Sequence, residues 1–250
     1  MVSWATNCTE LRLGGRSIGD KKAIAISEFM GDSPQLLAIL LVRACHCLGR
    51  PECETHDCRG VHALQEDNRI GDKGAKSLAA ALSSNRSNIT RVSLFDNKIG
   101  DAGATAIATT LSQNTSVYSL NLGGNNLSDA GAMAIAEGLR DNGNLRELLL
   151  WGNAIGDRGA AAISQVLSFT NIKKLSFRGN VIGDEGAIAL ARAMYSHPTL
   201  KTLNLGNNQL TSIGAQAILE AVQANPSEGR TVNLYNNQVQ FSSPPHLTLH

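Results

Sequence analysis

Four cysteines and three histidines fall within eighteen residues of this chain: Cys45, His46, Cys47, Cys53, His56, Cys58 and His62. Thiolates and imidazoles so close together could hold a zinc ion tetrahedrally. Their spacing argues against it. C-x-C-x5-C-x4-C does not give two C-x2-C knuckles, and the segment stands where a quite different pattern is due. The expectation is no metal; residues 45–67 read as a loop insertion or as sequence translated from an imperfect gene model. In a reducing compartment these cysteines would not pair as disulfides.

Two other groups invite a chemical reading. Gly71 to Ser77, GDKGAKS, has the glycines and lysine of a phosphate loop, but Ala75 separates Gly74 from Lys76, so the required Gly-Lys-Ser/Thr is missing. The stretch also matches GDAGATA and GDEGAIA further on, which makes it a recurring turn. Asp72, Asp101, Asp129, Asp157 and Asp184 form a row of carboxylates that could suggest calcium. Each begins a helical stretch, however, where a carboxylate satisfies free N–H groups and suits the helix dipole. There is no Ser/His/Asp arrangement, no H-E-x-x-H and no catalytic carboxylate pair. The expectation is a non-enzyme without cofactor or metal.

These groups are positioned by one repeated unit, seen whole in LNLGGNNLSDAGAMAIAEGL, residues 120–139. Leu120 and Leu122 alternate as in a strand; Asn125 and Leu127 make the turn; Asp129 can cap a helix; Ala132, Ile135, Ala136 and Leu139 line one helical face. The Asn returns at Asn97, Asn125, Asn153, Asn180, Asn208 and Asn237, at intervals of 28, 28, 27, 28 and 29. Such a unit cannot bury a core alone, whereas stacked neighbours bury a continuous one. Leu94, Leu122, Leu150 and Leu205 are expected inside, with Ile107, Ile135, Ile163, Ile188 and Ile218 from the helices. The Asn amide is expected to satisfy backbone groups of its own and the adjacent repeat. Gly103, Gly131, Gly159, Gly186 and Gly214 are expected to let the helix start pack closely on the turn.

At these residues the chain resembles the ribonuclease-inhibitor class of leucine-rich repeats, which includes the ribonuclease inhibitor, the repeat domains of NOD-like receptors and the Ran GTPase-activating protein. The resemblance covers residues 61–240 and, less regularly, 8–30. It implies an α/β fold: a right-handed solenoid or horseshoe, with parallel strands on the concave face and helices on the convex face. Residues 1–44 hold N-terminal repeats without a cap, 45–67 the irregular segment, 68–240 the regular array and 241–250 a frayed tail. In 31–44, Leu36 to Leu41 can serve as a strand and put Ala44 at the Asn position. The missing caps suggest a piece of something longer, or an edge covered by another chain.

If both leucines of L-x-L face inward, the residues beside them face out. One outward row is Phe95, Gly123, Trp151, Arg178, Gly206 and Tyr235; the next contains Leu149 beside Trp151. Trp151 is expected to overhang bare Gly123 on one side and to stack with Arg178 on the other. Trp, Tyr and Arg anchor interfaces, so Phe95, Leu149, Trp151, Arg178 and Tyr235 are the expected contacts for a protein partner on the concave face.

The formal net charge of +1 gives no global field for nucleic acid or an acidic membrane. No apolar run reaches a membrane span and the N-terminus has no signal peptide pattern, so the expected location is cytoplasmic. Two further functions follow from the resemblance alone. One is a GTPase activator like the Ran-directed protein; the acidic tail is missing here and no catalytic residue can be placed. The other is the sensor region of a NOD-like receptor, whose nucleotide loop is absent.

Overall fold

The computed structural model describes residues 10–12, 19–32, 69–83, 89–197, 199–224 and 230–239. Within them, seven short strands form one parallel sheet in chain order: β1 (Glu10–Arg12), β2 (Arg91–Ser93), β3 (Ser119–Asn121), β4 (Glu147–Leu149), β5 (Lys174–Ser176), β6 (Thr202–Asn204) and β7 (Thr231–Asn233). The helices α1 (Asp20–Asp32), α2 (Asp72–Ser83), α3 (Asp101–Leu111), α4 (Asp129–Leu139), α5 (Asp157–Leu167), α6 (Asp184–Ser196) and α7 (Ser212–Ala224) each pack on the next. The result is an α/β repeat solenoid.

The core is a single column of apolar layers. Val92, Leu120, Leu148, Leu175 and Leu203 point inward, followed two residues later by Leu94, Leu122, Leu150, Phe177 and Leu205, all buried. Each helix from α2 on adds the residue six places after its start: Leu78, Ile107, Ile135, Ile163, Leu190 and Ile218. Ile188 is therefore not the core residue of α6. It is half-buried, and Leu190 holds the place. Burying one such side chain contributes roughly 1.5–3 kcal/mol, and no unit could do so without its neighbours.

The turn asparagines join the units. Asn125 Nδ2 donates to the carbonyls of Leu122 and Gly123 in its own turn and of Leu94 in the unit before, while its Oδ1 accepts from Ile99 N–H. Asn153, Asn208 and Asn237 repeat this pattern. The residue before each Asn is left-handed: Asp96, Gly124, Gly152, Gly179, Asn207 and Asn236 all have positive φ. Only Gly, Asn and Asp adopt that conformation readily, which accounts for the residue types found there.

The aspartates behave differently from the sequence expectation. Each carboxylate caps the helix of the following unit. Asp129 Oδ1 accepts from Gly156 N–H at 2.7 Å and Gly159 N–H at 2.8 Å. Asp72, Asp101, Asp157 and Asp184 do the same for the next helix start. At α3, α5 and α6 the reason is local, because the N-cap residues Gly100, Gly156 and Gly183 have no side chain to cap with; at α4 and α7 the hydroxyls of Ser128 and Thr211 accept from their own helix and donate to the incoming carboxylate. A Cβ on Gly159 would lie 2.8 Å from Asp129 Oδ1 and 2.7 Å from Ile155 Cγ2, so the recurring glycine makes room for the incoming carboxylate.

The same contact locates the first unit. Asp20 Oδ1 accepts from Gly71 N–H at 2.6 Å and Gly74 N–H at 3.0 Å, and α1 packs on α2. Units 51 residues apart in sequence at these atoms are thus immediate neighbours in space. β1 pairs directly with β2, Glu10 opposite Arg91. The Leu36–Leu41 strand with Ala44, the Cys/His segment and the tail 241–250 lie outside the described residues.

Candidate functional site

The register of the sheet sets out three outward rows. Arg91, Ser119, Glu147, Lys174, Thr202 and Thr231 stand opposite one another, as do Ser93, Asn121, Leu149, Ser176, Asn204 and Asn233. The third row follows two residues on, from Phe95 to Tyr235. The asparagines of the middle row pin the third: Asn121 Oδ1 accepts from Gly123 N–H, Asn204 Oδ1 from Gly206 N–H and Asn233 Oδ1 from Tyr235 N–H.

Phe95, Trp151, Arg178 and Tyr235 form two clusters, each built across a glycine. The Trp151 indole covers Gly123 so closely that any Cβ there would run into it. It thereby reaches Phe95 two strands away, with ring centroids 6.2 Å apart and planes at 41°. Tyr235 lies over Gly206, where a Cβ would be 2.6 Å from its Cε1. The Arg178 guanidinium sits 5.7 Å from the centre of the Tyr235 ring. The expected stack of Trp151 on Arg178 is not among the ring contacts of the described residues. Both side chains tip toward glycine gaps, and those gaps lie on opposite sides. Leu149 is half-buried on β4, two residues before Trp151.

A third cluster was not read from the sequence. The Arg91 guanidinium lies 5.1 Å from the centre of the Tyr118 ring and donates from Nε to the Tyr118 hydroxyl. Tyr118 precedes β3 at the rim of the sheet; the signal was its place one residue before the outward row.

A second polar column was missed as well. Asn114 and Asn142, at the helix-to-strand turns, each accept two N–H groups of their own turn and donate back to the preceding unit, to Leu82 O from Asn114 and to Leu111 O and Asn114 O from Asn142. Their interval of 28 was the signal. His197 takes the same place two units later: its Nδ1 accepts from Leu200 N–H at 2.9 Å, and the ring is buried. Burial pushes the His197 pKa down, with a smaller push from Arg230, although nearby backbone carbonyls oppose the shift. Burial pushes the Asp101 and Asp184 carboxyls up, but a hydroxyl and two N–H donors on each leave both below the ordinary value.

The clusters offer flat rings, a stacked guanidinium and amide edges, a surface suited to contact with another macromolecule. Among the described residues, no three His, Cys, Asp or Glu side chains converge where a metal could sit, and no helix is long and apolar enough to cross a membrane.

Known proteins place this geometry in context. No curated protein matches the chain. Solved structures similar to it include leiomodin-1 actin-binding site 2, at 22% identity with a TM-score of 0.52, covering 59% of this chain and 87% of that one. Another is the tropomodulin C-terminal domain of Caenorhabditis elegans, at 14% identity with a TM-score of 0.50, covering 61% of this chain and 93% of that one. Both likenesses support the fold. The family model described as leucine rich repeat matches residues 66–79, 86–108, 113–136, 141–164, 170–191 and 196–219, more than half of the chain. The chain belongs to the leucine-rich repeat family.

Proposed function

We propose that this protein is a non-enzymatic binding module that docks a partner protein on the exposed face of its strands, in the cytoplasm, with Phe95, Leu149, Trp151, Arg178 and Tyr235 as anchors. The observation that carries this is the pair of clusters built across Gly123 and Gly206. Each holds a large ring in place on a bare backbone, so little side-chain entropy is left to lose on binding. Trp, Tyr and Arg held in this way are the residues that dominate measured interfaces. Leucine-rich repeats commonly serve as protein-interaction modules, and the leiomodin-1 structure with this fold is an actin-binding site. The helical side and the 28-residue period support a repeat of the ribonuclease-inhibitor class.

The test is a paired pull-down. Wild type and a Leu149→Ala/Trp151→Ala variant serve as bait, after circular dichroism shows that both are folded. A protein retained by wild type and lost from the variant supports the strand face as the site. Prey shared equally by both would sink it.

A further inference from the structure

The rim where the helices turn back into the strands has a chemistry of its own. The residues just before the strands form a column, Tyr118, Arg146, Lys173, Lys201 and Arg230. Its members are successive in the backbone ladder: Arg146 N–H donates to Tyr118 O at 2.8 Å, Lys173 N–H to Arg146 O at 2.7 Å and Lys201 N–H to Lys173 O at 2.8 Å. Lys174, the next residue, is exposed at the start of β5, opposite Glu147 of β4. Arg146, Lys173, Lys174 and Lys201 are exposed, and none makes an ion pair among the described residues. The nearest acids are Glu147, which stands opposite Lys174 and accepts from the Ser119 hydroxyl, and Asp141, in the turn that leads into Arg146; neither forms an ion pair with the column among the described residues. Arg230 is committed, donating to His197 O and Leu200 O.

The turns leading into this column carry exposed rings. Phe169, four residues before Lys173, is 65% exposed, and Tyr195, at the end of the next helix, is 52% exposed. An apolar flank beside a single file of cations is unusual on a chain whose net charge is only +1.

We infer that this rim binds an acidic amphipathic helix of a partner protein, laid across the strands along the column. The pitch selects the helix. Adjacent parallel strands stand about 4.8 Å apart. Carboxylates at i, i+3 or i+4 on a helix rise about 4.5–6 Å per step, so Glu or Asp at i, i+4, i+7 and i+11 keep pace with successive cations. An extended peptide puts same-side residues about 6.6 Å apart and drifts out of step after one or two strands. A single file of charge with apolar groups to one side also fits a rod better than a plane of lipid headgroups. The site uses none of the five anchors of the strand face and is separable from them.

The probe is a labelled helical peptide with Glu at i, i+4, i+7 and i+11 and Leu beside that stripe, titrated against the full chain at low salt by fluorescence anisotropy. Its affinity is expected to fall steeply with salt. It should weaken at least about tenfold with Lys173→Glu/Lys201→Glu, and about threefold with Phe169→Ala. Lys173→Gln/Lys201→Gln, a milder change, serves if the reversal perturbs folding and should cost about fivefold. Leu149→Ala/Trp151→Ala should leave it within about twofold. A peptide of the same composition with its Glu residues spread round the helix should bind at least about tenfold more weakly. Equal binding of the respaced peptide, or no effect of either Lys173/Lys201 variant, overturns the inference. So does a phosphatidylserine vesicle or a single-stranded oligonucleotide that binds through Lys173 and Lys201 more tightly than the peptide.

Discussion

The Asn column and the Phe95–Tyr235 row cross the same strands only two residues apart, and they differ in kind. In the first, one residue type returns in unit after unit and makes the same bonds, with the amide reaching its own turn and the one before. In the second, neighbouring positions read Phe, Gly, Trp, Arg, Gly, Tyr, and the contacts skip strands. A column that repeats solves a problem posed by the backbone in every unit, namely where its buried polar groups bond. A row that does not repeat answers to nothing inside the solenoid. The glycines sharpen the contrast: those at helix starts admit a carboxylate, whereas Gly123 and Gly206 admit a ring from the exposed side.

The largest effect should come from breaking the repeating column. Asn180→Ala strands the N–H of Ile155 and takes one of the two amide donors from each of the carbonyls of Leu150 and Phe177, which keep Asn153 and Asn208. Urea unfolding should show a loss of roughly 3–5 kcal/mol; a loss under about 1 kcal/mol would mean that water replaces the amide. Next comes Gly159→Ala, whose Cβ meets Ile155 Cγ2 at 2.7 Å, Asp129 Oδ1 at 2.8 Å and Ala132 Cβ at 2.9 Å. A cost of about 1–3 kcal/mol is expected from the crowding. Trp151→Ala, on the other side of the comparison, should cost about 1 kcal/mol, the value of one half-buried ring pair.

The smallest effects are those of pH. The unfolded His197 titrates near 6.5, and its folded value is lower. Between the two the unfolded chain holds the extra proton, so stability should fall as pH drops through about 6.5 and level off below the folded value. His197→Asn, which restores the residue found at 114 and 142, should remove that slope; an unchanged slope would assign it to another group. The lowered carboxyls of Asp101 and Asp184 act in a more acidic window. Their contribution is complete above about pH 3.9 and is lost as pH falls through their folded values. Asp101→Asn/Asp184→Asn should flatten that acid limb of the unfolding curve.

Much of this could be read from the sequence, because the framework repeats. The strand leucines, the Asn bonds to two units and the outward rows all follow from one period. What escaped was whatever depends on a neighbour. The sequence marks the aspartates as caps of their own helices, whereas the glycine before each of Asp101, Asp157 and Asp184 is the signal that the cap comes from another unit. Ile188 was placed in the core because α6 offers apolar residues at both its fifth and seventh positions, and only register with Ile163 selects Leu190. Trp151 was correctly placed over Gly123, but the tilt that carries it to Phe95 and leaves Arg178 to Tyr235 depends on gaps on both sides. Neither Tyr118 nor His197 repeats its neighbours, so the period marks neither.

The most direct measurement is the affinity of the captured partner for two double variants of equal stability. Leu149→Ala/Trp151→Ala alters the strand face, and Met133→Ala/Ile213→Ala removes exposed apolar side chains from α4 and α7. The strand-face pair should weaken binding at least about 30-fold, as truncation of an anchor does, and the helix-face pair should leave it within about twofold. Loss of binding with the helix-face pair, and none with the strand-face pair, would contradict the assignment of recognition to the row that does not repeat.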